Sequence, residues 1–392
     1  MTLRLAIIRQ RYTPFGGAER FLDLALEALA HRGVAITVYA RAWPKPEGYP
    51  LDVRIVDPFH IGGLWRDASF ARAACRAVRD LGGTLVQSHE RLACCDVFRA
   101  GDGVHATWLE ERSRHLPHWR VVALRASPHH RWRLAMERRM FASPRLKAVI
   151  CNSRMVKDDI RARFGVDDAK LHVIYNAVAS ERFTPELASQ RAAVRAANAI
   201  AADATLFLHV GSGFERKGVA TTLEALAMLP PSVHLAVVGS DRRLARYAER
   251  ARALGIADRV TFAGAVTDPR PWYGAADAFV LPTLYDPFPN AALEAMAAGL
   301  PIATSTRSGA AELALDVDAG YASAPGDAAA LAANLRLLLD PSRRSAMGAN
   351  ARRAVLPLTA EAMSAKLVAL YASLLEGGER RACRAGTQPN PI

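Results

Sequence analysis

Twice along this chain a short apolar strand runs directly into a glycine-bearing loop and then into a helical pattern. Near the start, "LRLAII" leads through "YTPFGGAER" to "FLDLALEALAHRG"; from Thr205, "TLFLHVGSG" leads on to "VATTLEALAML". Strands that alternate with amphipathic helices build parallel sheets covered by helices on both faces. The first half continues with "VAITVYA", "TLVQSH" and "KAVICNS" as buried strands, with helical stretches such as "FARAACRAVRDLG" between them. The second continues with "HLAVVGS", "RVTFAG", "AFVLPT" and "PIATS" as strands. Its helices "RLARYAERARALG" and "AALEAMAAG" are closed by Gly255 and Gly299.

At 392 residues the chain is too long for one ordinary core, so the restart reads as a second domain. The expected fold class is α/β, with two doubly wound, Rossmann-like domains facing a central cleft. We place the first over 1–180 and a linker over 181–204, inside a stretch (176–204) that has no strand pattern. The second domain is placed over 205–358, and a last helix over 359–376 is expected to cross back to the first. The tail 377–392, "GGERRACRAGTQPNPI", is expected to be disordered. Ligands of such sheets bind outside the carboxyl ends of the strands, which puts the site in the cleft.

Composition narrows the class. Hydrophobic residues make up 51% and charged residues 23%, a globular balance rather than a disordered one. Five cysteines (75, 94, 95, 151 and 383) are an odd number without C-x-x-C spacing. Reduced thiols are expected, rather than a disulfide framework or a zinc site. No window holds the roughly 18 uninterrupted apolar residues of a membrane-spanning helix. The run Leu5 to Ile8 before Arg9 and Arg11 reads as a first strand, not a signal peptide. Of the net charge of +13, residues 1–180 carry +11. That asymmetry points the first half at something anionic.

The segment "YDPFPNAALEAMAAGLP" holds Asp286 and Glu294 eight residues apart. Pro287 and Pro289 bar a helix across the whole segment, so the two acids do not share a helix face. Asp286 falls on a loop after a buried strand; Glu294 is expected in the first turn of the next helix, with Asn290 as its N-cap. A helix N-terminus seats phosphate, and a carboxylate beside it suits sugar hydroxyls. In "GSGFERKG", the loop Gly211, Ser212, Gly213 with Arg216 and Lys217 can neutralise a diphosphate leaving group. The bland alternative is an ordinary strand–helix turn with solvated cations.

The order of these motifs resembles that of retaining glycosyltransferases of the GT-B fold, family 4. D-x-F-P-N-x-x-x-E-A-M-x-x-G-x-P is similar to the family's E-x₇-E region, and "GSGFERKG", "STRSGAAEL" and "PFGGAER" match in order. Among family members it is most similar to lipopolysaccharide-core α-1,3-glucosyltransferases. The resemblance implies that Asp286 meets the donor sugar and Glu294 the nucleotide ribose. Pro287, Phe288, Asn290 and Gly309 would line the donor, Glu312 would orient that loop, and Gly16 and Gly17 would bring backbone amides to a phosphate or the acceptor. It implies front-face substitution, with the leaving phosphate taking the acceptor's proton, no cofactor and no metal. The family usually carries Glu where this chain has Asp286, a loss of roughly 1.5 Å of reach. It also commonly has an Arg near Ser212 and Gly213, which leaves the division of labour between Arg216 and Lys217 open.

In the first half, "CCDVFRAGDGVHATWLEER" is an acceptor-side loop by position. Asp102 is assigned to the transferring centre, with His105 and Glu19 in support; the bland reading of His105 is a buried structural histidine. From Arg112 to Lys147 ten Lys and Arg stand against one acid, Glu137. Trp119, Arg120, Arg131, Trp132 and Arg133 are the candidates for contact with an anionic membrane; alternatively the Trp rings pack inward. "DVD" at Asp316–Asp318 lies outside the context of a metal motif and reads as a helix end.

The expected activity is transfer of a hexose, glucose from UDP-glucose first, onto a lipid-linked glycan at the inner face of the cytoplasmic membrane. Donors based on GDP-mannose or UDP-N-acetylhexosamine are the alternative. A nucleotide-sugar 2-epimerase and a non-enzymatic basic binding protein are the remoter ones. No nucleic-acid-binding module accompanies the basic residues, and no Gly-x-Gly-x-x-Gly dinucleotide pattern is present.

Overall fold

The computed structural model describes residues 3–11, 25–43 and 49–385, with side chains to residue 376. Thirteen strands form two sheets among these residues. The first holds β1 (Arg4–Ile8), β2 (Ala35–Ala40), β3 (Asp52–Ile55), β4 (Leu85–Ser88), β5 (Val97–Arg99), β6 (Ala148–Cys151) and β7 (Leu171–Val173), in spatial order β3-β2-β1-β4-β5-β6-β7. The second holds β8 (Thr205–Val210), β9 (Val233–Val238), β10 (Val260–Gly264), β11 (Ala278–Leu281), β12 (Ile302–Ser305) and β13 (Gly320–Ser323), in order β10-β9-β8-β11-β12-β13. Neighbouring strands pair in parallel throughout. Both sheets reverse their winding beside their own first strand, between β1 and β4 and between β8 and β11. That reversal opens a crevice at the carboxyl ends of the two strands.

Four strands went unread in the sequence: β3, β5, β7 and β13. Each has three or four residues, and β3, β7 and β13 lack the fully buried pattern of the equally short β4, β6, β11 and β12. Three of them lie at sheet edges, where pairing with the neighbour makes the strand.

Each sheet is buried on both faces. Leu5, Ile7 and Val38 pack on one side of the first, Ala6, Val86 and Phe98 on the other. Leu208, Phe279 and Met296 pack on one side of the second, Phe207, Leu235 and Val280 on the other. The helix Ala360–Ala385 returns to the first sheet. It inserts Met363, Leu367, Leu370 and Tyr371 beside Leu5 and Val38. Tyr371 donates to Gln87 Oε1 at 2.6 Å, and Arg32 to Ser364 Oγ at 2.9 Å. This helix corrects the expectation of disorder from residue 377, because it runs through Ala385. The Gly377–Gly378 pair suggested an end, but the Glu, Arg and Ala that follow favour helix.

A second correction concerns the cysteines. Cys75, on the helix Gly62–Ala77, is bonded to Cys94 in the β4–β5 connection, their Cα atoms 5.6 Å apart. Nineteen residues separate them, so only the packing of that helix against the connection brings them together. Cys95 and Cys151 remain buried thiols, both pushed up to about 12 by burial. Among the described residues no single helix is long and apolar enough to cross a membrane. One bent pair, Pro341–Val355 with Ala360–Glu376, meets the composition test, but Ala351, Val355, Leu367 and Tyr371 in it are buried in the cores.

Leu367→Ala empties a position sealed between the last helix and the first sheet. A loss of about 2–5 kcal/mol in unfolding free energy is expected from urea titration. A loss under about 0.5 kcal/mol would mean that the helix is not part of the first domain's core.

Candidate functional site

The crevice between β8 and β11 gathers the chemistry of the second domain. The loop after β8 carries Gly211, Ser212 and Gly213 and turns into the one-turn helix Phe214–Lys217; the loop after β11 carries Asp286. Asp286 is 6% exposed, and its Oδ2 accepts from Arg216 Nη1 at 2.9 Å and from Lys217 Nζ at 2.6 Å. Burial pushes the Asp286 carboxyl up, but Lys217 and Arg216 outweigh it and hold the group below its ordinary value. Burial drives the Lys217 ammonium down against the attraction of Asp286, and Arg216 adds to the drop. The trio keeps one net positive charge, which favours an anion with more than one charge.

Local backbone makes this possible. Gly211 has φ +155°, and a Cβ there would lie 3.3 Å from Lys217 Cε, in the path of the side chain. Ser212 Oγ accepts from Ser240 N at 3.2 Å, and Asp241 caps the Phe214 amide at 2.8 Å. Asp241 was not anticipated, since it comes from the loop after β9.

Glu294 lies in the helix Asn290–Ala297, at its fifth residue rather than in the first turn. It is buried, and Tyr273 donates to its Oε2 at 2.8 Å. The N-cap is Pro289, not Asn290. Asn290 Oδ1 instead accepts from Asn176 Nδ2 of the first half at 2.7 Å. Phe288 stacks on Tyr175 with centroids 5.1 Å apart and is buried. The amide of Gly309, a residue expected to line the donor, donates to Asp286 O at 2.9 Å. A Cβ on Gly309 would come within 1.9 Å of Pro287 O, so the two loops meet only through glycine. Glu312 accepts from Arg154 N at 2.9 Å and Met155 N at 3.2 Å, capping a first-half helix, Arg154–Phe164. Asp316 pairs with Arg154 at 2.6 Å. Among the described residues no group of three or more His, Cys, Asp or Glu is placed to hold a metal ion.

In the first half, Gly16, Gly17 and Glu19 lie outside the described residues. Asp102 is exposed and lines a cavity of about 50 Å³ with Gln10, Asp67, Glu90, Arg91 and Trp132, at the carboxyl ends of β1, β4 and β5. His105 is buried, with Nε2 3.2 Å from His130 Nδ1. Burial, then Arg91 and Arg133, lowers its pKa to about 3, so it stays neutral. Glu137 accepts from His105 N, Ala106 N and Arg91 and caps the helix His105–Arg114.

Asp67 is a further residue that sequence reasoning missed. It accepts from Arg66 at 3.0 Å, Arg133 at 3.1 Å and Gln10 at 3.3 Å, and His129 Nε2 lies 2.9 Å away. Burial raises its pKa, but bonds to His129, Arg133 and Arg66 win and hold it at about 2. Its partners are scattered along the chain, so no local motif marks it. Two of the five membrane candidates turn inward: Trp132 packs on the core and Arg133 is spent on Asp67. Trp119, Arg120 and Arg131 are exposed.

Two parallel-sheet halves with a cationic, carboxylate-bearing crevice at the carboxyl ends of the strands are an architecture shared with glycosyltransferases of the GT-B fold. Residues 15–182 match the family described as Glycosyltransferase Family 4, and residues 190–354 match Glycosyl transferases group 1. A protein of Burkholderia thailandensis named "Probable transglycosylase" is 30% identical over 88% of this chain and 87% of its own. The lipopolysaccharide glucosyltransferase WaaG of Escherichia coli K12 is 26% identical over 81% and 84%. A crystal structure of WaaG superposes with a TM-score of 0.79 at 25% identity, over 94% of this chain and 99% of that one. Anabaena HepE, solved with UDP and glucose, shares the fold at a TM-score of 0.70 and 20% identity, over 95% and 100%. The chain belongs to glycosyltransferase family 4.

Asp286→Ala strands a buried Lys217 cation. It is expected to cost about 3–5 kcal/mol in chemical denaturation, most of it restored by Lys217→Met in the same chain. The folded-state pKa of Asp286 is depressed. The carboxylate's contribution is therefore full above its ordinary range and lost as pH falls through the lower folded value. The acid limb of the stability curve should flatten in the double variant; an unchanged limb would remove Asp286 from this account.

Proposed function

We propose that this enzyme transfers a hexose, with retention, from a nucleoside diphosphate to a hydroxyl of a lipid-linked glycan. UDP-glucose is the first candidate donor and the lipopolysaccharide core the first candidate acceptor. The observation that carries the reading is the meeting of Arg216 and Lys217 at Asp286 in the β8–β11 crevice, with Glu294 on the next helix. The name of WaaG, a lipopolysaccharide glucosyltransferase, and the HepE structure with UDP and glucose support this choice of donor and acceptor class.

In this reading the anomeric carbon–phosphate oxygen bond breaks as Arg216 and Lys217 neutralise the departing diphosphate. The acceptor oxygen bonds to the same face of the sugar, and its proton passes to the leaving phosphate oxygen. As the diphosphate takes over the two cations, the Asp286 carboxylate turns to the sugar hydroxyls, while Glu294 accepts from the ribose. The protein's own cations carry the charge of the leaving group, and no metal is assigned a role. The helix His118–Ala126, which has no buried residue, presents Trp119 and Val122, 66% and 54% exposed, with the Arg120 guanidinium 4.9 Å from the Trp119 ring centroid. That face would rest on the anionic inner surface of the cytoplasmic membrane, close to the acceptor.

Thermal unfolding with UDP, GDP and their glucose, galactose, mannose and N-acetylglucosamine derivatives tests the donor. At about 100 times its dissociation constant a ligand adds ~2.7 kcal/mol of stability. UDP-glucose should stabilise selectively, and Glu294→Ala should remove the effect. Selective action of GDP compounds would replace the donor, and no effect from any compound would sink the proposal. Vesicle sedimentation tests the surface: binding to anionic but not neutral lipid is expected, and Trp119→Ser should weaken it. Equal binding by wild type and variant would clear this helix of membrane contact.

A further inference from the structure

The loop that carries Asp286 is gripped by the opposite domain. Asp286 N donates to Arg307 O at 2.9 Å, and Gly309 N returns a bond to Asp286 O at 2.9 Å. The backbone of Asp286 is thus clamped to the segment 307–309. Tyr285 precedes it in the chain, and Arg307 lies across the clamp, its guanidinium 5.4 Å from the Tyr285 ring centroid. Both side chains reach into the first domain. Arg307 Nη2 lies 3.2 and 3.1 Å from the two carboxylate oxygens of Asp159, on the helix Arg154–Phe164. The Tyr285 hydroxyl oxygen accepts from Val104 N of the first domain at 2.9 Å. A second acid, Glu111 of the helix His105–Arg114, stands 3.0 Å from Arg307 Nε.

All these groups are shielded: Tyr285 is 1% exposed, and the side chains of Glu111, Asp159 and Arg307 are 5%, 15% and 22% exposed. Charge pairs held this way act over fixed, short distances and are poorly screened by salt. Neither Asp159 nor Glu111 reaches Asp286 itself. They act on the residues that hold it.

We propose that Asp159, supported by Glu111, is a positioning residue for transfer: through Arg307, which packs on Tyr285, it sets the place of the Asp286 carboxylate only when the two domains are docked. The inference rests on the reading of Asp286 as the donor-sugar contact. It makes domain docking a condition of catalysis rather than of donor capture. The diphosphate cations Arg216 and Lys217 and the ribose candidate Glu294 all belong to the second domain, so nucleotide binding does not pass through Asp159.

The test compares wild type with Asp159→Ala, Asp159→Asn and Arg307→Lys in the full chain. Turnover with UDP-glucose and acceptor glycan should fall roughly tenfold to a hundredfold in Asp159→Ala, the scale of a small misplacement of a reacting group. The dissociation constant for UDP should stay within about twofold of wild type. Arg307→Lys, which keeps the charge but not the two-sided grip, should fall between. Hydrogen exchange followed by mass spectrometry gives a readout free of activity: amides of segment 285–309 should exchange about tenfold faster in Asp159→Ala. Unchanged exchange there, or unchanged turnover, overturns the proposal. So does a parallel loss of UDP affinity, turnover and melting temperature in the conservative Asp159→Asn, which would mark a purely structural residue. If wild type neither binds nor turns over any nucleotide sugar, the functional reading fails by itself. The exchange experiment still decides whether Asp159 holds the loop.

Discussion

The ion trio of Asp286, Arg216 and Lys217 is the interaction around which the second domain is arranged. A lysine taken almost wholly out of water needs a partner of opposite charge within contact distance, and Asp286 provides it at 2.6 Å. To make that contact the loop after β8 must fold back on itself and the loop after β11 must come down beside it. The sheet order places those two strands next to each other, although β9 and β10 intervene in the chain. The trio therefore depends on the winding reversal, and the glycines at 211 and 309 are what let the loops approach.

Around that centre polar contacts join the two domains beside the stack of Tyr175 on Phe288. Arg112 pairs with Glu215 at 3.0 Å, Arg154 with Asp316, Arg307 with Asp159, and Asn176 bonds to Asn290. Contacts of this kind can part and re-form more readily than a packed apolar interface, which suits a cleft that must admit a donor and then exclude water. The last helix is the exception: it is built into the first domain's core, so the chain's end ties one domain to the other by covalent connection and apolar burial together.

Much of the fold was legible because its long helices and central strands carry periodicity strong enough to survive without context. β1, β2, β8, β9 and β11 all read as buried apolar runs, and the Asp286–Glu294 segment named the family. The edge strands β3, β7 and β13 did not read, since their identity comes from the neighbour they pair with. Local signals also misplaced caps and turns. Asn290 looked like an N-cap, yet Pro289 takes that position and Asn290 reaches across to Asn176. Phe288 stacks on Tyr175 and the Gly309 amide bonds to Asp286 O, contacts that no local pattern announces.

By itself the sequence determined the alternation of strands and helices, the two domains and the gathering of Asp286, Arg216 and Lys217 in the loops after β8 and β11. Those features are written in residues close together in the chain, where hydrophobic period, glycine and proline act locally. Only the tertiary structure decided who meets whom. Asp67 with His129 and Arg133, Cys75 with Cys94, and Asp159 with Arg307 are each joined across long stretches of chain. Their pairing follows from the packing of helices onto sheets and of one domain onto the other, and no short-range pattern records that packing.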